Sequence, residues 1–397
     1  MKNKHYLLTG RLVSSFGDSL YAVAIMWYVF HQTKDPFITG ITSAILMLPM
    51  VLSVFVGPII DHYNRKRIML TAQILQMAVL IIVTLCFYFN LMPLPLLIFS
   101  FFVVGLLEIF EGNAEYALSP LVMSEDELMS YNSTIVTGNL IISSIAKAIC
   151  VFIIIDYGIE SIYLINILTF LFAVIMFAQI KYKHRDNGKL DTQEYRQSIT
   201  EGISYFNKYG LIWLAVPAMI ANFTGAMSEA ILPAFTNDKG GPLAYGYYLT
   251  ASVIFGAIGS VITPKLKSID INMKITYAPL ISAICMFLAA FIDSYYLSML
   301  FYGLASLPIV IMNISTFTYI QTHIDNKVLA RIGTIINAVC TAVMPVGALL
   351  GGYLGKVINP DIPIYITAGG FLLLGIIFII RMIHGKQVLA INEQVQQ

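Results

Sequence analysis

Charge is what this sequence has least of. Asp, Glu, Lys and Arg make up 11% of its 397 residues, against about 25% in soluble domains. The 23 basic and 22 acidic residues fall in short clusters between long apolar runs. Charges so few and so grouped cannot cover the surface of a water-soluble chain, which excludes a soluble enzyme, a secreted scaffold and a disordered hub. A net charge of +1 offers no basic field for a polyanion, so nucleic acid is excluded as a partner. Cysteine is scarce too. Cys86, Cys150, Cys285 and Cys340 all lie in apolar segments without a CxxC spacing, so neither a zinc site nor a redox pair is indicated. HExxH, GxSxG and GxxxxGK[ST] are absent, which argues against a membrane enzyme and against nucleotide drive. The first apolar run is too long for a cleavable signal peptide and ends at no small-residue cleavage site; it reads as a span that stays.

What is abundant is apolar sequence, 58% of the chain. A bilayer core of roughly 30 Å takes about 20 helical residues to cross. Runs between charge and turn clusters predict spans near 6–30, 38–60, 68–90, 94–118, 134–156 and 161–181, then 209–235, 244–264, 274–292, 296–318, 333–357 and 363–382. That is an all-α membrane protein of twelve transmembrane helices. The longest hydrophilic stretch, near the middle, divides it into an N-terminal six-helix bundle (1–181), a linker (182–208) and a C-terminal six-helix bundle with a short tail (209–397). With both termini cytoplasmic, 18 of the 23 Lys and Arg fall on the inner side and 3 on the outer, while Arg11 and Lys147 lie within spans. The excess sets that orientation, in the cell membrane.

Between spans two and three stands Gly57-Pro58-Ile59-Ile60-Asp61-His62-Tyr63-Asn64-Arg65-Lys66-Arg67. Gly57 permits close helix approach, Asp61 can accept from a helix N-terminus, and Arg65 can reach an acid at the inner end of span four. This loop resembles the signature loop of the major facilitator superfamily. Gly17-Asp18, Ser119-Pro120 followed by Glu125-Asp126-Glu127-Leu128, Tyr163-Leu164-Ile165-Asn166 and Pro345-Val346-Gly347-Ala348-Leu349-Leu350-Gly351-Gly352 are similar to the branch of the drug:proton antiporters that holds macrolide efflux and enterobactin export proteins. The resemblance implies two six-helix bundles, export driven by proton entry, and a conformational latch at Gly57, Asp61, Arg65 and Arg67, with Glu115 as an acid partner. Two departures stand out. The antiporter glycine run of span five is replaced by Ile145-Ala146-Lys147-Ala148-Ile149-Cys150, and the loop around Pro264-Lys265-Leu266-Lys267 is only an echo of the signature loop, without its aspartate.

Ionisable side chains within the spans are the site candidates, since each costs about 2.5–3.5 kcal/mol at the bilayer centre on insertion scales. Asp18 lies 12 residues into span one, about 18 Å from the inner end at 1.5 Å per residue. Glu108, Glu111 and Glu115 share one face of span four, and three carboxylates on one stripe cannot all ionise cheaply. At least one is therefore a candidate proton carrier. Lys147 and Glu229 complete the proton-coupling and cavity set, and Asn222, Tyr245, Tyr248, Tyr302, Asn313 and Tyr319 are weaker cavity candidates. Arg11 is expected to snorkel or to pair with Glu115. The function these residues point to is secondary active transport, with proton-coupled export of a small amphipathic or polar organic compound, a drug or a siderophore-like natural product. A proton-driven importer is the alternative; an intramembrane enzyme or receptor is a third. No cofactor or metal is expected. The partners are a small-molecule substrate, protons and the lipid bilayer, and the chain is expected to act as a monomer.

Overall fold

The computed structural model describes residues 2–53, 56, 59–60, 63–182, 212–266, 268–323, 336 and 338–384. Twelve α-helices are found among them. They are α1 (Lys2–Thr33), α2 (Pro36–Leu52), α3 (Arg65–Tyr88), α4 (Leu94–Val122), α5 (Glu125–Tyr157), α6 (Ile159–Ala178), α7 (Ile212–Gly240), α8 (Ala244–Ile262), α9 (Ile271–Phe291), α10 (Tyr295–His323), α11 (Met344–Val357) and α12 (Asp361–Ile383). The described residues form no strand. Counting α11 from Ala338, eleven of the helices are long and apolar enough to cross a membrane. The exception is α2. Its 17 residues reach about 26 Å at 1.5 Å per residue, where the sequence predicts a span over 38–60. Pro49 lies near its C-terminal end, and half of the expected remainder, including Gly57 and Pro58, is outside the described residues.

Local chemistry sets several helix ends. The Asn64 side chain accepts from Arg67 N at 3.1 Å and starts α3. Ser124 and Glu127 form a reciprocal capping box, which starts α5 nine residues ahead of the span predicted at 134. Hydropathy misses that segment because its residues are polar, yet the cap makes it helical and brings Tyr131 onto the helix. Gly158, at φ +80°, then turns the chain from α5 into α6. Asp270 caps α9 by accepting from Asn272 N at 2.7 Å.

The chain divides into two compact units. The first comprises residues 1–32 and 45–192; the second comprises 33–44 and 193–397, so the opening turns of α2 belong with the second unit. Most of the expected linker, 182–208, lies outside the described residues. In the first unit α3 packs on α4 and α6. A core of Leu7, Met69, Ala114, Leu118, Tyr131, Ala173, Phe177 and Ile180 draws together α1, α3, α4, α5 and α6. In the second unit α8 packs on α10, α9 on α10 and α12, and α11 on α7.

The α11–α7 contact explains the glycines of the 345–352 motif. Gly347, Gly351 and Gly355 form one stripe that rests on Phe223, Met227 and Ile231, and a Cβ added at Gly351 would stand 2.6 Å from the Met227 carbonyl oxygen. On the adjoining face, Gly352 and Gly40 of α2 meet backbone to backbone, with a Cβ at Gly40 only 2.8 Å from Gly352 Cα. Small residues in register let helices approach where hydrophobicity supplies no drive between them. Lys356 closes the same edge on Asp35 at 2.5 Å.

Candidate functional site

Arg11, Ser14 and Asp18 are spaced 3 and 4 apart on α1, as Glu108, Glu111 and Glu115 are on α4. That spacing puts each trio on one helix face. The fold of the first unit brings the two stripes together. Arg11 Nη1 lies 3.3 Å from Glu111 Oε1, and Arg11 Nε lies 3.3 Å from Glu115 Oε2. Glu115 also accepts from the Tyr131 hydroxyl of α5. From α3, Gln73 completes the hold on Glu111. In the amide orientation that satisfies both partners, its Nε2 donates at 2.9 Å to each carboxylate oxygen. The amide Oε1 then lies 3.4 Å from Ser14 Oγ, whose one proton can serve it or Asp18 Oδ2, also 3.4 Å away. Asp18, Ser14, Gln73, Glu111, Arg11, Glu115 and Tyr131 thus form one continuous polar chain across four helices.

Burial gives this chain its electrostatic weight. Glu111, Gln73 and Ser14 are 0% exposed, and Asp18 and Glu108 are half-buried. Glu108 lies within electrostatic reach of both Arg11 and Asp18. Four carboxyls therefore share one guanidinium. In a medium of low dielectric, that ratio is unfavourable when all four are ionised. Gly17 lets α6 come close behind Asp18, since a Cβ there would collide with Asn166 and Thr169. Thr169 Oγ1 in turn donates to the Asn166 carbonyl at 2.8 Å and to its Oδ1 at 3.0 Å.

The other expected site residues divide. Lys147 is half-buried, and among the described residues it forms no ion pair with Glu108, Glu111 or Glu115; Arg11 is the cation at those acids. Of the latch, Gly57 and Asp61 lie outside the described residues, Arg65 is half-buried and Arg67 is exposed. Their neighbour Lys66, not singled out by sequence, donates to the carbonyls of Ala178 and Ile180 at 2.8 and 2.7 Å, where α6 ends. In the second unit, Glu229 and Asn313 are exposed. Asn222 donates to the Cys340 carbonyl at 2.9 Å. Tyr245 and Tyr248 are buried, and the Tyr248 hydroxyl donates to Ser298 Oγ at 2.7 Å within a cluster of Phe235, Tyr295 and Tyr302 rings. Asp18, Glu108, Glu111 and Glu115 are therefore the expected residues that the fold gathers. Sequence reasoning missed Ser14, Gln73 and Tyr131, and named Asn166 only within a family motif. Gln73 carried a usable signal, a long amide inside an apolar run, whereas Ser14 and Tyr131 carried little.

Long apolar helices in two units, with a charged network buried inside one of them, are the construction of a multi-pass membrane protein. The model of the transmembrane secretion effector family matches residues 4–394, and the chain belongs to this family of major facilitator transporters. It is 23% identical over 412 residues to the MFS-type transporter YvqJ of Bacillus subtilis, covering 99% of this chain and 96% of that one. It is 23% identical to the staphyloferrin A transporter of Staphylococcus aureus, with 78% of this chain and 74% of the relative aligned. It is 21% identical to macrolide efflux protein A of Streptococcus pyogenes over 88% of each. Among solved structures, a bacterial homologue of the iron transporter ferroportin superposes with a TM-score of 0.72 at 14% identity, covering 95% of this chain and 98% of the other. That last likeness establishes the fold.

Proposed function

We propose that the protein is a proton-coupled exporter of a small amphipathic or polar organic compound, working by alternating access between its two halves in the cell membrane. The observation that carries this reading is the sharing of one arginine by four acids inside the first unit. Such a set holds its protons conditionally. A proton arriving from outside on Asp18, Glu108 or Glu111 cancels one excess negative charge and favours one state; its release to the inside restores the other. Glu115, held by both Arg11 and Tyr131, serves as the fixed counter-charge that keeps Arg11 in place. Relatives named for siderophore and macrolide transport support a small-molecule substrate and the export direction. The reading includes twelve spans with both termini cytoplasmic, a monomer, and no cofactor beyond the proton gradient. Lys147, without an ion pair to the α4 acids, suits a substrate carrying an anionic group.

Purified protein in liposomes tests this. Flux driven by an imposed pH gradient is measured for a macrolide and for a siderophore, in wild type and in Asp18→Asn, Glu108→Gln and Glu111→Gln. Loss of gradient-dependent flux with substrate binding retained is the expected result. Full gradient-dependent flux in all three variants would sink the coupling assignment. Accumulation inside inverted vesicles marks export, and accumulation only in right-side-out cells marks the importer instead.

A further inference from the structure

Three buried polar atoms on α1 and α6 make no hydrogen bond among the described residues: Tyr21 Oη, Tyr163 Oη and Asn166 Nδ2. Their residues are 6%, 0% and 0% exposed. All three atoms are hydrogen-bond donors, and a donor left dry in a protein interior is costly. Their placement is orderly. Tyr21 stands one turn beyond Asp18 on α1, and Tyr163 stands one turn before Asn166 on α6. The two tyrosine rings meet edge to face at 5.8 Å. The Tyr21 hydroxyl is within electrostatic reach of Asp18, Glu108 and Tyr163, and the Tyr163 hydroxyl within reach of Glu160, Tyr28 and Cys150. The Asn166 amide is directed at Asp18, yet its Nδ2 makes no contact short enough to be a hydrogen bond. Glu160 itself is exposed in the first turn of α6. In the proposed orientation that turn faces outside.

We infer that Tyr163, Tyr21 and Asn166 line a hydrated proton-entry file inside the first unit, leading from Glu160 at the outer end of α6 to Asp18. Buried water collects where several otherwise unsatisfied polar groups converge, each molecule making about three hydrogen bonds. Here the three donors and the Asp18 carboxylate supply those bonds. A proton leaves an outer water, passes along the file as each water gives up one O–H bond and gains another, and ends as an O–H on Asp18. The tyrosines orient the waters and end the step unchanged, so they are positioning residues. The charged and titratable groups facing Asp18 are Arg11 and Tyr21 on its own helix and Glu108 and Glu111 on α4. Arg11 and Glu111 lie toward the Gln73 side of the network, while α6 presents the neutral Asn166 to Asp18.

The inference rests on the proton-coupled reading, and its test needs no substrate. Full-length protein is reconstituted right-side-out in liposomes, the outer pH is dropped, and the protonated-carboxyl infrared band is followed in time. Asp18→Asn identifies the contribution of Asp18. Tyr21→Phe and Tyr163→Phe keep the ring contacts with Phe101 and Phe87 and remove only the hydroxyls. Each should leave the final Asp18 band intact and slow its rise by about tenfold or more. Rates equal to wild type in both variants overturn the file while leaving Asp18 as a proton carrier. No band lost in Asp18→Asn overturns the file and leaves Glu108 or Glu111 as the carrier in the coupling reading. Thermal unfolding adds an independent check. Removing a hydroxyl that is dry raises Tm, whereas removing one that is hydrated leaves Tm unchanged or lowers it. A raised Tm in both variants also overturns the proposal.

Discussion

Arg11 holds two acids that stand one turn apart on the same buried face of α4. Removing one partner from such a set leaves a buried charge uncompensated, which costs about 3–5 kcal/mol. Arg11→Leu should therefore lower the thermal unfolding midpoint sharply. Adding Glu111→Gln and Glu115→Gln to that variant should recover most of the loss, because the charges needing a counter-ion are gone. No recovery would mean that Arg11 acts by packing alone. The acids themselves were legible in the sequence, since a carboxylate in an apolar run carries its own anomaly. Ser14 and Tyr131 were not. Neutral polar side chains are common enough in membrane helices that only a facing partner reveals which of them matter, and that partner is on another helix.

At the level of the helix, the glycines of α11 and α12 separate into tight and open positions. A Cβ at Gly351 would press on the backbone of α7, while one at Gly369 of α12 would meet nothing within 4 Å. Gly351→Ala should destabilise by about 1–3 kcal/mol, the usual cost of overpacking. Gly369→Ala should be neutral or gain up to roughly 1 kcal/mol from helix propensity. Equal midpoints for the two variants in a detergent unfolding assay would contradict the close α11–α7 approach. Ser124→Ala, which opens the capping box of α5, should cost about 1 kcal/mol. Most helix positions were legible because hydropathy is a property of the local run. The early start of α5 was not, because a cap depends on two particular side chains and not on average polarity.

For the whole molecule, the grouping of residues 33–44 with the second unit assigns Asp35 and Lys356 a stabilising role there. Burial raises the Asp35 carboxyl, but hydrogen bonds from Lys356 and from Phe37 N outweigh it and hold the group below its ordinary value. A carboxyl lowered on folding contributes stability above its unfolded pKa, near 3.9, and loses it as pH falls through the folded value. The midpoint difference between wild type and Asp35→Asn should thus be present at pH 7 and vanish in strong acid. Because Lys356 is 50% exposed, the pair is worth at most about 1 kcal/mol. A difference that persists unchanged in acid would show that the contact does not depend on the carboxylate.

Hydropathy and charge placement determined, from the sequence alone, that this chain is a bundle of apolar helices and that α4 carries three acids on one face. Both are short-range properties: a membrane span follows from twenty consecutive side chains, and a helix face from spacings of three and four. Only the tertiary structure decided that Arg11 answers those acids, that Gln73 and Ser14 link them to Asp18, and that the start of α2 packs with α11. Each of these depends on which helices lie side by side. That choice is made by close approaches such as Gly17 on the Asn166 side chain and Gly40 on the Gly352 backbone, between residues so far apart in the chain that no local pattern connects them.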